Sequence, residues 1–254
     1  MKGRNTTNAF FNEQNRIDDL MDMPWHPSQA YREVIDAYER TTYSSIYIID
    51  YHTQRFEYVS DNPLFLCGHT AEEVQQMGYN FYYQQVTPED LELLVKINQA
   101  GFSFLETLPI AERKSYTIAY DFHLNTDTGI ILVHQKLTPL SLTSSGKIWK
   151  ALCTVSLSTK KKAGNIHITQ KGSNTIFAYD LAKNQWKPKV VLVLSDREKQ
   201  ILQLSIRGFT IQEIADKIYV TVDTVKFHRK NLYNKLAVSN MSEAILYAVN
   251  NRLL

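Results

Sequence analysis

The chain has 254 residues, 44% of them hydrophobic and 21% charged, which is enough to bury two cores and excludes a chain disordered by composition. Its net charge of +2 conceals a gradient: residues 1–159 carry 12 Lys+Arg against 19 Asp+Glu, residues 160–193 carry 7 against 1, and residues 194–254 carry 9 against 6. Only two cysteines, Cys67 and Cys153, are present, so no disulfide framework or cysteine zinc site is expected. No apolar run, Val190–Leu194 included, approaches the roughly 18 residues of a membrane span. These features predict a reduced, cytoplasmic protein, with no membrane as partner, whose basic back half meets a polyanion.

The first stretch, 1–43, reads as an N-terminal helical segment. One helix is expected around Asn12–Met23 and, after Pro24 and Pro27, a second capped by Ser28 with Tyr31, Val34, Ile35 and Tyr38 on one face. The period then changes. Ser45–Asp50 and Arg55–Ser60 are β-branched and aromatic and flank His52-Thr53-Gln54, which predicts a hairpin. Thr70 and Glu73 form a capping box. Thr87-Pro88-Glu89-Asp90 is a further helix start: a capping hydroxyl, proline at the first position, and acids in the first turn. Strands Ser115–Leu124, Ile130–Leu140 and Lys147–Leu157 follow, with turns at Asp127-Thr128-Gly129 and Ser144-Ser145-Gly146. Two strands, short helices and three strands make an α+β domain around one antiparallel sheet.

In this order, and in YIIDYHTQRFEYVSDNPLFLCGHTAEEV and VTPEDLE, residues 44–158 resemble a PAS sensor domain. One departure is Ser60-Asp61, where many relatives have an Asn after the second strand. The resemblance leaves room for a small-molecule ligand but identifies no cofactor. Cys67, in Leu66-Cys67-Gly68-His69, lies outside a flavin-type context, and nothing but their presence recommends His69 or His123 as heme ligands. Residues 159–193 read as a basic linker with a β-hairpin, Asn165–Thr169 and Thr175–Tyr179, tied either to the sheet or to the linker and ended by Pro188.

Residues 194–254 read as an all-α domain of four short helices. Ser195/Glu198 and Thr210/Glu213 are capping boxes, Thr221 caps a third helix, and Asn240 with Glu243 opens a fourth. Gly208 stops the first helix. Ile201, Leu202, Leu204, Ile214, Ile218, Val225, Leu232 and Leu236 are the expected core, and small Ala215 permits a close helix crossing. Lys226, Arg229 and Lys230 share one helix face, and a tight turn before a cationic helix suits the major groove of DNA.

This segment resembles the LuxR/FixJ/NarL-type helix-turn-helix in Leu194, Ser195, Arg197, Glu198, Gly208, Glu213, Ile214, Ala215, Thr224, Val225, Lys226, His228, Lys235 and Leu236, all in register. The resemblance implies that Lys226, Phe227 and Lys230 approach base edges, while Thr210, Gln212, Thr221, Thr224 and Arg229 sit nearer the phosphates. It also implies homodimers on double-stranded DNA, an indirect relation to RNA polymerase, and a transcription regulator in place of an enzyme. Met241 stands where relatives usually have Arg. Ile245 and Val249 on the last helix suit either pairing between copies or the domain's own core. Two alternatives stay open: a sigma-factor-like promoter-binding module, and a PAS sensor acting through protein contacts without DNA.

Overall fold

Alternating apolar and polar residues build a long antiparallel sheet in the first part of the chain, and three-to-four-residue apolar spacing builds helices in the second. The computed structural model describes residues 9–11, 13–17, 29–173, 175–190, 193–251 and 253. The chain divides into two units, Met1–Lys189 and Val190–Leu254.

In the first unit, helix α1 (Gln29–Glu39) precedes the hairpin of β1 (Ser45–Asp50) and β2 (Arg55–Val59). Four helices follow: α2 (Pro63–Leu66), α3 (Ala71–Met77), α4 (Asn80–Gln85) and α5 (Pro88–Glu106). A 3-10 turn, Ile110–Ser115, leads into β3 (Tyr116–Thr126), β4 (Gly129–Leu142) and β5 (Ile148–Leu157). Two strands, short helices and three strands follow one another as the PAS-like reading expects, and in the sheet the strands lie in the order β2-β1-β5-β4-β3. The inner face of the sheet and α2–α5 enclose one core, which includes Tyr47, Phe65, Val74, Phe81, Ile97 and Phe122. β1 is buried on both faces because Ile35 of α1 covers Ile46, Ile48 and Tyr58 from outside.

Two expectations for residues 1–43 need correction. The α1 stripe is only partly inward: Ile35 packs on the sheet, whereas Val34 and Tyr38 are 67% and 58% exposed. The Ser28 cap and the Tyr31 side chain lie outside the described residues. So does most of Asn12–Met23, and its described part, 13–17, forms a turn and irregular chain. After the second strand, the Asn62 side chain accepts from the Leu64 amide and caps α2, while the Ser60 hydroxyl accepts from the Ile46 amide.

The segment 159–193 is more than a linker. β6 (Gly164–Gln170) pairs with β3, and β7 (Thr175–Asp180) and β8 (Gln185–Val190) carry the sheet on to eight strands. Apolar Ile166 and Ile168 continue the inner face, which is why β6 docks on the sheet. Pro188 does not end this region. It sits within β8, at the sheet's edge, where a residue without an N–H is tolerated. Pro139 in β4 has the opposite problem in an interior strand, and register shifts follow it before Ser141 and Leu142.

Candidate nucleic-acid interface

The second unit contains α6 (Asp196–Ile206), α7 (Ile211–Lys217), α8 (Val222–Leu236) and α9 (Met241–Asn250). Each start is fixed by its own cap. Ser195 accepts from the Glu198 amide and Glu198 accepts from the Ser195 amide at 2.8 Å; Thr210 and Glu213 repeat the exchange. Thr221 accepts from the Thr224 amide. Asn240 accepts from the Glu243 amide, but Glu243 returns its bond to the Ser239 amide one residue earlier.

These caps position two apolar clusters. Ile201, Ile214, Ala215, Ile218 and Val225 join α6, α7 and the start of α8; Leu202, Leu232, Leu236, Ala244 and Ala248 join α6, the end of α8 and α9. Met241 packs against both. The residue standing in place of the family's Arg is therefore an apolar bridge, and its absent charge is replaced by packing. Ile245 also packs against the second cluster, whereas Val249 is exposed.

A buried carboxylate clamps the two clusters' common helices. Glu198 Oε2 accepts from the Ser195 amide and from Lys235 Nζ, both at 2.8 Å, so the first turn of α6 is tied to the last turn of α8. Burial pushes the Glu198 carboxyl up, but the hydrogen bonds from Lys235 and Ser195 outweigh it and hold the group below the usual carboxylate range.

With Val225, Leu232 and Leu236 turned inward, α8 exposes Lys226, Phe227, Lys230 and Asn234 on its outer side. Phe227 is 61% exposed, a large apolar ring in water that a thymine methyl could cover. Lys226 Nζ lies 3.2 Å from Asp223, its neighbour three residues back, in an exposed pair that costs little to exchange for another anion. Arg229 is half-buried and held differently. Its Nε and an Nη donate to the Tyr233 hydroxyl at 3.1 and 2.8 Å, and the guanidinium faces the same ring.

The remaining candidates stand at helix starts. Thr221 and Thr224 share a hydroxyl contact of 2.8 Å at the head of α8. Thr210 Oγ1 is bonded to Glu213 at the head of α7, and Gln212 donates to Asp216 at 3.2 Å. Helix N-termini present unpaired amides and positive dipole ends, a setting that suits phosphate oxygens. The structure thus gathers the eight residues on α7, α8 and their caps. Sequence reasoning missed two supports: Tyr233, which aims Arg229, and Phe209, whose ring meets the cations of Arg207 and Lys217 at 5.0 and 4.5 Å. Both are aromatic residues one helical turn or a few residues from a cation, a spacing that could have been read as cation–π pairing.

Residues 192–248 match the model of the luxR family of bacterial regulatory proteins. The C-terminal unit is a LuxR-family helix-turn-helix domain. Among curated relatives, the response regulator protein VraR of Staphylococcus aureus is 34% identical over 101 residues, 38% of this chain and 48% of VraR. The chain therefore spans about half the length of the curated relatives it matches. A solved structure of the transcription factor GerE aligns at 34% identity over 24% of this chain and 91% of its own, with a TM-score of 0.24. The Vibrio cholerae VqmA dimer aligns at 17% identity over 87% of this chain and 88% of its own, with a TM-score of 0.35.

The candidates set aside from the PAS-like unit have local partners. His123 donates its backbone amide to Asp90 Oδ2 at 2.6 Å, and its Nδ1 lies 2.8 Å from the same oxygen. Asp90 is a first-turn acid, as the sequence leads one to expect, and it also ties α5 to β3 through His123, whereas the Thr87 hydroxyl makes no cap bond. His69 contacts Gln85 at 3.0 Å. Cys67 and Cys153 are buried, and burial pushes each thiol up to about 12.

Proposed function

We propose that this chain is a sequence-specific, DNA-binding transcription regulator that acts as a cytoplasmic homodimer, its output set by a signal or partner sensed in residues 44–158. The single observation that carries this reading is the outer side of α8: Lys226, Phe227 and Lys230 stand exposed while Val225, Leu232 and Leu236 seat the helix on a LuxR-family scaffold. Lys226, Phe227 and Lys230 read base edges. Thr210, Gln212, Thr221 and Thr224, at helix starts, and Arg229, aimed by Tyr233, meet phosphates. RNA polymerase is engaged indirectly, through promoter-bound protein. The sigma-factor-like alternative needs a helical promoter-melting domain upstream, and residues 44–158 are built on a sheet.

The test compares Lys230→Ala with the native chain on a cognate operator, selected from genomic fragments, and on random duplex. Losing one base-reading contact costs about 1–3 kcal/mol at the cognate site, roughly a 5- to 150-fold loss in affinity, with a much smaller loss on random DNA. Equal losses on both would remove the base-reading role. No gel shift with any genomic fragment would favour the protein-contact sensor instead.

A further inference from the structure

The core of the PAS-like unit contains a compartment lined with tyrosines, and the chain's own N-terminal segment fills it. Phe10 is buried, its ring centroid 5.4 to 5.8 Å from those of Tyr79, Tyr82 and Tyr83. Phe11 meets Tyr79 edge-on at 4.5 Å. No α-helix or strand secures its described residues, which run from a 3-10 position at Ala9 through bend, turn and irregular chain. Polar side chains hold it by its carbonyls. The Asn98 and Asn15 amides both donate to the Phe10 carbonyl, and Lys147 Nζ donates to the carbonyls of Glu13 at 2.6 Å and Arg16 at 3.2 Å.

Behind Phe10 lies Gln135 of β4, almost wholly buried. Its Nε2 donates to the Tyr120 hydroxyl at 2.6 Å, but its Oε1 has no partner among the described residues. The space left between Phe10 and Gln135 is about 20 Å³, and none of the described residues lining it is charged. That volume holds no more than a water-sized molecule. The compartment is full while Phe10 is in place, yet it keeps a buried acceptor unsatisfied, which is costly.

We propose that Phe10 and Phe11 form a displaceable strap over a small-molecule site, whose ligand is a neutral, single-ring aromatic bearing a hydrogen-bond donor. The ligand ring replaces the Phe10 ring against Tyr79 and Tyr82, and its donor reaches Gln135 Oε1. A charged ligand would be buried without a counter-ion and is excluded. The proposal rests on the sensing reading of this unit and adds both the chemistry of the ligand and the element that it moves.

Phenol is the probe, since it has the Phe10 ring plus one O–H donor, and toluene is its control. Titration calorimetry on the full chain compares native protein, Phe10→Ala, Lys147→Ala and Gln135→Met. Phe10→Ala is expected to bind phenol at least tenfold more tightly than native protein and to prefer phenol to toluene about tenfold. Gln135→Met is expected to lose that preference. Lys147→Ala, which loosens the strap from the surface without touching the rings, is expected to raise phenol affinity and to speed amide exchange over residues 9–17. It decides the matter if Phe10→Ala fails to fold. Folded variants that bind phenol no better than native protein overturn the proposal. Operator affinity separates the two readings. A strap that opens to phenol with unchanged operator affinity leaves the strap standing and removes the sensing role. Operator affinity that responds to another ligand, with exchange over 9–17 unchanged, does the reverse.

Discussion

Replacing Glu198 by Gln should destabilise the DNA-binding unit by about 2 kcal/mol while leaving its geometry intact. One carboxylate oxygen accepts from both the Ser195 amide and Lys235 Nζ at 2.8 Å. A Gln amide oxygen can occupy that point, so both bonds survive, but they are no longer made to an ionised acceptor. A hydrogen bond to a charged group contributes about 1.5–3 kcal/mol and a neutral one about 0.5–1.5, so each bond loses roughly 1 kcal/mol. Lys235 is one-third exposed and hydrates when its partner is neutral, so no buried cation is stranded. For a domain of this size about 2 kcal/mol lowers the melting temperature by roughly 8–16 °C.

The pH dependence has a definite sign. The folded carboxyl sits below its ordinary value, so its contribution is full above the unfolded value, about 4.3. It fades as pH falls through the folded value. Thermal unfolding followed by helical circular dichroism at pH 7 and pH 3 reads both effects in the full chain. A Glu198→Gln variant melting within about 2 °C of native at pH 7, or a gap that persists undiminished at pH 3, would refute the clamp.

Three other measurements probe separate parts of the chain. Tyr219 holds φ 55° in the turn before α8 with its side chain 93% exposed. Tyr219→Asn, a residue that accepts this conformation, should stabilise the unit by about 0.5–1 kcal/mol in the absence of DNA, and a lower melting temperature would show that the ring is needed. Arg229→Gln should weaken operator and random DNA alike and reduce the slope of log affinity against log salt by about 1; an unchanged slope would take Arg229 off the phosphates. Cys67 and Cys153 are buried, each thiol held near 12, so about one in ten thousand is ionised at pH 8. Ellman's reagent should therefore titrate them only after denaturation, and rapid reaction of the native protein would count against the packing described around them.

Short-range signals were legible because their physics is local. Ser195, Thr210 and Thr221 cap the helices expected of them, since a hydroxyl reaches only the amides two or three residues on. Thr87 shows the limit. Proline and the first-turn acids mark the start of α5 as expected, but the Thr87 hydroxyl makes no cap bond, and the Asp90 carboxylate also reaches His123, thirty-three residues away in sequence. The stripe of α1 failed for a similar reason: periodicity says which residues share a face but not how much of that face is covered, and Ile35 packs on the sheet while Val34 and Tyr38 stay exposed.

The sequence by itself determined the helix boundaries of the DNA-binding unit, the inward stripe of α8 and hence which cations face outward, because capping and 3.6-residue periodicity act within one or two turns. Tertiary structure alone decided that residues 164–190 extend the sheet, that Glu198 meets Lys235, and that Phe10 enters the tyrosine core. Each of these joins residues far apart in the chain. Whether an apolar strand docks, a carboxylate is clamped or a phenylalanine is swallowed depends on what the remainder of the fold leaves uncovered, and no local pattern encodes that.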